Sequence, residues 1–322
     1  MIRRVLIPLD GSKLAEQVVP HLLRFAVPDR TNILLMAAVS SSIFPLLHEN
    51  VRSFTSEQID MLRKNNEACE QVHTVMQQLN KTGFSVASHF LSGAPAECIL
   101  QVAEDAYVDL IAMSTHGRTG LGLALLGSVA DEVVRYARPP LFLTPAQAVV
   151  KPDSLPRIII LPLDGTPLSE SAIPVACQFA QNTNAVIHLV RVIEPTQDTE
   201  DALTTKPMSS NWNSAEEQPI IRQATSYLER MQLRLQLAGI VSRYQIAKGE
   251  PADIITRIAY EENADLIVMS THGRTGVERM VYGSVVKQVI RNAIWPLLLM
   301  RGKVPVNSAE REALLPATSS CW

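Results

Sequence analysis

The sequence is short of the marks that would place it in several classes. Its four cysteines, Cys69, Cys98, Cys177 and Cys321, show no CxxC spacing, and none has a counterpart in the other half of the chain. That pattern argues against a disulfide framework and leaves reduced thiols in a cytosolic protein. Neither sign of charge dominates, with Lys plus Arg at 29 against 32 for Asp plus Glu. Neither nucleic acid nor an anionic membrane surface is therefore implied as a partner. No apolar run approaches the ~20 residues that span a bilayer. The opening Met1-Ile2-Arg3-Arg4 lacks a signal-peptide pattern. Phosphate loops of the GxxxxGK and GxGxxG kinds are missing too. The chain reads as soluble and cytoplasmic.

What the sequence does have is a duplication. The stretch Met113-Ser114-Thr115-His116-Gly117-Arg118-Thr119-Gly120 stands again, unchanged, at residues 269–276. Pro8-Leu9-Asp10-Gly11 returns as Pro162-Leu163-Asp164-Gly165. Gly83, Gly93, Pro95, Gly127-Ser128 and Pro140-Leu141 are matched by Gly239, Gly249, Pro251, Gly283-Ser284 and Pro296-Leu297. The spacing between copies drifts only from 154 to 156 residues, which marks whole duplicated domains and excludes a short-period solenoid. With 322 residues, 47% of them hydrophobic, two domains of about 150 residues each can bury proper cores. The proline-rich stretch 145–156 separates them. The expected boundaries are 1–146 and 155–303, followed by a flexible polar tail over 304–322.

Within each half, short apolar runs alternate with longer helical patterns. Val5–Leu9, Ile33–Val39, Phe84–Phe90, Leu110–Met113 and Leu141–Leu143 read as strands. Ile158–Leu163, Ala185–Val192, Ile240–Ile246, Leu266–Met269 and Leu297–Met300 do so in the second half. Stretches 57–81 and 95–106 read as helices. Runs that are apolar on both faces and separated by helices predict a parallel sheet covered on both sides, a doubly wound α/β domain twice over. Ligands in such sheets bind beyond the carboxyl ends of strands, where the strand order reverses. Both polar repeats fall there. Asp10 and Asp164 close the first strands, and Ser114 and Ser270 follow the fourth.

The loop after the fourth strand reads Ser114-x-x-Gly117, nine residues, then Gly127-Ser128, with identical spacing from Ser270 to Ser284. Glycine lets backbone approach an anion closely. Gly127-Ser128 precedes the helix-like stretch Val129–Ala137, so their amides are expected at a helix N-terminus, where phosphate is favoured. The competing reading makes Gly117 a turn and Ser128 an N-cap. His116 and His272 recur without a second His or Cys near them, which suits a loop-ordering hydrogen bond better than a metal. Arg118 and Arg274 suit a terminal phosphate or solvent equally. Leu121–Leu126 and Val277–Tyr282 read as packing surface, and Trp212 as part of a lid or an exposed insertion.

These residues resemble the ATP-binding branch of the universal stress protein family, whose signature is G-x-x-G, nine residues, then G-[S/T], preceded by a strand-one aspartate. The resemblance covers residues 1 to about 145 and about 156 to 302. It implies a five-stranded parallel sheet in each half, ordered 3-2-1-4-5, with helices on both faces. It also implies a site carried position by position. Asp10 and Asp164 contact the adenosine part, with Pro8 and Pro162 lining the nucleoside pocket, and the backbone of Val39 and Val192 contacts adenine. Gly117, Gly127 and Ser128, and likewise Gly273, Gly283 and Ser284, contact phosphate. Where the signature has its first glycine this chain has Ser114 and Ser270. Each serine either narrows the loop with its Cβ or adds a hydroxyl contact.

The implied function is binding of ATP, or of ADP or AMP, as a regulatory ligand in a stress response, with Mg as an accompanying ion. Hydrolysis, if any, is slow, because no general base is evident beyond the binding aspartates. The alternative is an interaction module with vestigial pockets. An adenylating enzyme of the wider group is disfavoured, since neither a Ser-Gly-Gly-x-Asp-Ser loop nor a His-Ile-Gly-His motif is present. Family members dimerise through the last strand. The expectation here is an internal pseudo-dimer through Leu141–Leu143 and Leu297–Met300, with assembly of chains into a homodimer beyond it.

Overall fold

The computed structural model describes residues 2–39, 56–115, 126–149, 151, 155–194, 217–271 and 283–302. In chain order the first elements are β1 (Arg4–Pro8), α1 (Lys13–Glu16), α2 (Val18–Leu23), β2 (Asn32–Val39) and α3 (Ser56–Lys81). They are followed by β3 (Ser85–Ser92), α4 (Pro95–Asp105), β4 (Leu110–Ser114), α5 (Ser128–Tyr136) and β5 (Leu141–Thr144). The same series then repeats as β6 (Ile158–Pro162), α6 (Pro167–Glu170), α7 (Ile173–Thr183), β7 (Val186–Ile193) and α8 (Glu217–Leu237). It closes with β8 (Ser242–Lys248), α9 (Pro251–Glu261), β9 (Leu266–Thr271), α10 (Ser284–Asn292) and β10 (Leu297–Arg301). The predicted strands and helices match these within two residues at each end.

The described residues form two compact units. The first runs from the N-terminus to Leu155 and also takes in β10, and the second holds β6 to β9 with α10. In the first, the strand order is β3-β2-β1-β4-β5. All four of those pairings are parallel, and β10 lies antiparallel on β5, with Leu297 opposite Leu143 and Leu299 opposite Leu141. In the second, β8-β7-β6-β9 repeats that order, again parallel throughout.

Burial explains why the runs became strands. Every residue of β4 and β5 is buried, as are the three central residues of β1 and β6. A strand covered on both faces is apolar without alternation. The helices supply the covers through one stripe each. In α4 the stripe is Ala96, Cys98, Ile99, Val102 and Ala103, and in α5 it is Ala130, Val133 and Val134. Phe25 meets Phe142 edge-on, with ring centroids 6.1 Å apart. The exception is β3, where no residue is fully buried, as suits an edge strand. Cys69, Cys98 and Cys177 are unpaired, and burial pushes the Cys177 thiol up to about 12, which keeps it protonated and inert.

Each repeat closes its sheet with the same device. Asp109, just before β4, accepts the amides of Arg3 and Arg4 on Oδ2 at 2.8 and 2.9 Å. Asp265, just before β9, accepts those of Arg157 and Ile158 at 2.7 and 3.2 Å. The turn leading into each aspartate contains a residue in the left-handed region, Tyr107 at φ 49° and Asn263 at φ 51°. Asparagine tolerates that conformation and tyrosine does not.

Two predictions follow from this packing. Tyr107 is 84% exposed, so Tyr107→Asn relieves backbone strain at little cost in contacts. Urea melts should show a gain of about 0.5–1 kcal/mol, and no gain would mean that the tyrosine ring contributes unseen packing. The second concerns His21, buried on α2 at 1% exposure. Burial, with the Arg24 charge as a lesser cause, lowers its pKa to about 4 against an opposing pull from the Ala148 backbone. The unfolded chain therefore takes up this proton near pH 6.5 and the folded one only near 4. Stability is complete above 6.5 and falls on acidification through that window, by up to about 1.4 kcal/mol per pH unit. His21→Val, which installs the residue found at the equivalent Val175, should flatten this acid limb in melts taken between pH 7 and 4.

Candidate functional site

In each repeat the first strand lies between the second and the fourth, and the chain winds one way to β3 or β8 before reversing. The carboxyl ends beside β1 and β6 are therefore the switch points of the two sheets. Pro8, Asp10, Val39 and Ser114 are brought to one such edge, and Pro162, Asp164, Val192 and Ser270 to the other.

Strand pairing continues one residue past β1 and β6, through Leu9 N–H to Met36 O and Leu163 N–H to Val190 O, both 2.8 Å. The chain then turns sharply at Gly11 (φ 84°) and Gly165 (φ 81°), a conformation that a side chain would strain. Asp10 Oδ1 accepts the Ser12 amide at 2.9 Å, and Ser12 Oγ accepts the Ala15 amide at 3.1 Å as the N-cap of α1. In the second repeat Asp164 Oδ1 accepts both the amide and the hydroxyl of Thr166, at 2.8 and 2.5 Å. Thr166 caps α6 by accepting the Ser169 amide at 3.2 Å. Each aspartate thus fixes the turn that opens its helix. Burial works to raise the Asp164 pKa, but bonds from Thr166 and Ser169 and the Arg191 charge outweigh it, so the carboxyl titrates below its usual range.

A residue on the third helix braces each loop. Gln71 accepts the Gly11 amide at 2.8 Å and donates to the Ser12 carbonyl at 2.7 Å and to Glu16 Oε2 at 3.2 Å. Its counterpart is Tyr227, whose hydroxyl donates to Glu170 Oε1 at 3.1 Å. Burial first, then the neighbouring Glu170 and Asp164 carboxylates, drives the Tyr227 pKa upward, so it stays a phenol. These braces were missed in the sequence. Glu16 and Glu170 recur at the repeat spacing, but Gln71 and Tyr227 differ in type, so matching by identity passes over them.

At the end of the second strand, the Val39 carbonyl accepts the Gly93 amide at 3.2 Å, whereas in the second repeat the Ile193 carbonyl accepts the Gly249 amide at 3.1 Å. The registers agree, since Pro8 pairs with Met36 and Pro162 with Val190. The structural equivalent of Val39 is therefore Ile193, and Val192 stands one residue earlier.

After β4, Ser114 is buried and its hydroxyl donates to the Leu14 carbonyl in α1. Ser270 is half-buried. Helix α5 begins at Ser128, one residue earlier than the sequence predicts, with Gly127 as its extended N-cap and no side-chain cap bond. The Gly127 amide, expected to face phosphate, donates instead to the Thr115 carbonyl at 2.8 Å. The amides lacking an intrahelical acceptor are then those of Ser128, Val129 and Ala130. Gly283 likewise precedes α10, its carbonyl accepting the Lys287 amide at 3.1 Å. Gly117, Gly273, His116, His272, Arg118, Arg274, Leu121–Leu125, Val277–Tyr282, Trp212 and the tail lie outside the described residues. Among the described residues no group of three His, Cys, Asp or Glu side chains could hold a metal ion, and no helix is long and apolar enough to cross a membrane.

Comparison with known proteins bears on what such a site belongs to. The model of the universal stress protein family matches residues 1–145 and again 156–301. A universal stress protein of Methanocaldococcus jannaschii is 30% identical over 152 residues, 44% of this chain and 93% of the relative. One from Mycobacterium tuberculosis is 26% identical over 225 residues, covering 67% of this chain and 69% of its own. The crystal structure of a universal stress protein from Archaeoglobus fulgidus aligns with a TM-score of 0.67 at 21% identity, over 94% of this chain and 99% of that one. This last likeness concerns the fold.

The Ser114 bond generates a test. Ser114→Gly installs the residue of the family signature, yet it removes the hydroxyl bound to Leu14 and loosens the backbone. It should cost about 1–2 kcal/mol in denaturant melts. An unchanged midpoint would show that the bond to α1 contributes nothing to stability.

Proposed function

Because this chain belongs to the universal stress protein family, we propose that it binds ATP, or ADP or AMP, as a regulatory ligand in a stress response. Each half, 1–146 and 155–303, carries one site. The observation that supports this most is the recurrence of one arrangement at both switch points. A carboxylate sets a glycine turn after the central strand, and a Gly-Ser pair opens the helix that follows the fourth strand. In this reading Asp10 and Asp164 accept hydrogen bonds from the nucleoside, beside Pro8, Pro162, Val39 and Val192. Phosphate lies against the glycine loops, with Ser114, Gly117, Gly127 and Ser128 in one half and Ser270, Gly273, Gly283 and Ser284 in the other. The free amides at the start of α5 and α10 favour its charge. Mg accompanying the nucleotide would neutralise phosphate charge near the hydroxyls of Ser128 and Ser284.

Hydrolysis is at most slow in this reading. A general base must reach a water proton, and Oδ1 of both aspartates is already engaged by its own turn. The competing reading, an interaction module with vestigial pockets, draws on the Ser114 hydroxyl and the Gly127 amide, both committed to protein partners. The pseudo-dimer reading draws on the antiparallel pairing of β5 with β10. With that strand edge used, a homodimer of chains would join through another surface.

Denaturing the purified protein and weighing the released small molecules tests the main proposal. Adenine nucleotide at a ratio approaching two per chain is expected, or else calorimetric binding with Kd on the order of micromolar, about −8 kcal/mol. No released nucleotide together with no heat from ATP, ADP or AMP would leave the vestigial reading standing.

A further inference from the structure

The sheet of the first unit ends in a strand whose outer edge has no neighbouring strand among the described residues. Strand β3 pairs with β2 alone and stands last in the order. The Gly93 amide donates to the Val39 carbonyl at 3.2 Å, which sets the phase of the strand. Ser85, Ala87, His89 and Leu91 therefore turn their backbone groups toward β2, and Val86, Ser88, Phe90 and Ser92 present N–H and C=O to the free edge. The run Ser-Val-Ala-Ser-His-Phe-Leu-Ser contains no Asp, Glu, Lys or Arg, and Phe90 is 47% exposed. Strand β8, the outer strand of the second unit, differs. It carries Arg243 and Lys248, and charges of this kind keep a sheet edge from pairing. Strand β3 has neither such a charge nor a proline, and its register with β2 runs without a bulge.

We propose that the β3 edge is the surface on which a second copy of this chain docks, antiparallel, about a two-fold axis through Ser88. The proposal does not depend on nucleotide binding at the strand ends. A two-fold axis normal to the sheet keeps each side chain on its own face, so opposed residues are both even-numbered or both odd-numbered. Centring on Ser88 sets Ser88 against its own copy and Val86 against Phe90 on either side of it. These are the residues whose backbone groups face outward, and each of the three pairs exchanges two hydrogen bonds, about six in all. Val86 against Phe90 is a branched side chain against an aromatic one, a pairing that stabilises a ladder. On the other face of the sheet Ala87 meets His89. An edge without charge brings no like charges together on self-pairing, and it offers an acidic or basic partner nothing to recognise. The far border of the same parallel sheet, β5, is already taken by β10, which leaves β3 as the edge open to another chain. Each copy contributes its β3 edge once, so the assembly closes at a dimer.

Sedimentation of the full chain, from nanomolar to high micromolar protein, should show a reversible equilibrium between monomer and dimer. Hydrogen exchange at the two ends of that series locates the contact. The amides of Val86, Ser88 and Phe90 should slow on dimerisation, while those of Ala87 and His89, which face β2, keep their rates. Ser88→Lys sets two ammonium groups against each other on the axis and should raise the dimer dissociation constant about tenfold or more. The register has its own test. Val86→Lys combined with Phe90→Glu opposes unlike charges at both flanking pairs and should keep the dimer. Val86→Lys combined with Phe90→Lys opposes like charges and should abolish it. If these variants melt early, the exchange pattern of the unmodified chain decides. A chain that stays monomeric throughout, growth beyond a dimer, or a dimer whose Val86, Ser88 and Phe90 amides exchange as in the monomer overturns the proposal.

Discussion

The side chains of Asp10 and Asp164 each accept the amide two residues further on, and the shape of both candidate sites depends on that bond. Without it the chain leaving a central strand has no reason to turn at a positive-φ glycine and enter a helix at once. A local acceptor for an otherwise idle amide stabilises such a turn without any contribution from the core. The helices that follow have four residues each, too short to hold themselves. Their caps, Ser12 and Thr166, take their place from the same turn. One carboxylate therefore sets the direction of the backbone and the position of the first helix, and it stands where a ligand would meet the sheet.

Around that common element the repeats have diverged by changing the groups that brace it. The first uses an amide side chain with a donor and an acceptor, able to hold two backbone groups of the loop at once. The second uses the Tyr227 phenol, bonded to Glu170, while the Arg191 charge adds to the bonds that Thr166 and Ser169 make to Asp164. Low polarizability of the surroundings strengthens such interactions, and it also makes each dependent on its partners. Backbone similarity is thus compatible with distinct electrostatics at the two strand ends.

Much of the fold was legible because the central strands are buried on both faces and so read as unbroken apolar runs. Leu110–Ser114 and Leu141–Thr144 are of this kind. Strand β3 was read from the apolar run Phe84–Phe90, although the residues of the strand itself are mostly exposed. The strand order came with the family resemblance, because pairing between strands far apart in sequence leaves no local mark. At the site, Asp10 and Asp164 were visible as recurring residues. The bond from the Gly127 amide to Thr115 was not legible, because that acceptor lies across a loop. Val192 was matched to Val39 by residue identity, whereas strand register matches Val39 with Ile193. The closing aspartates, Asp109 and Asp265, recur at the repeat spacing, yet an acidic residue before a strand suggests no bond to the start of another strand a hundred positions away.

The pairing of β5 with β10 has a consequence for how the chain comes into being. The strand edge of β5 is an uncharged run, Leu-Phe-Leu-Thr, of the sort that invites pairing with another chain. Its partner, Leu297–Arg301, leaves the ribosome only after more than 150 further residues have been made. At synthesis rates of ~5–20 residues per second, that edge waits for on the order of ten seconds or more. During this interval a nascent chain exposes a sticky border beside the borders of its neighbours on the same message. The order of strands in the finished sheet thus sets a period of vulnerability in the unfinished one.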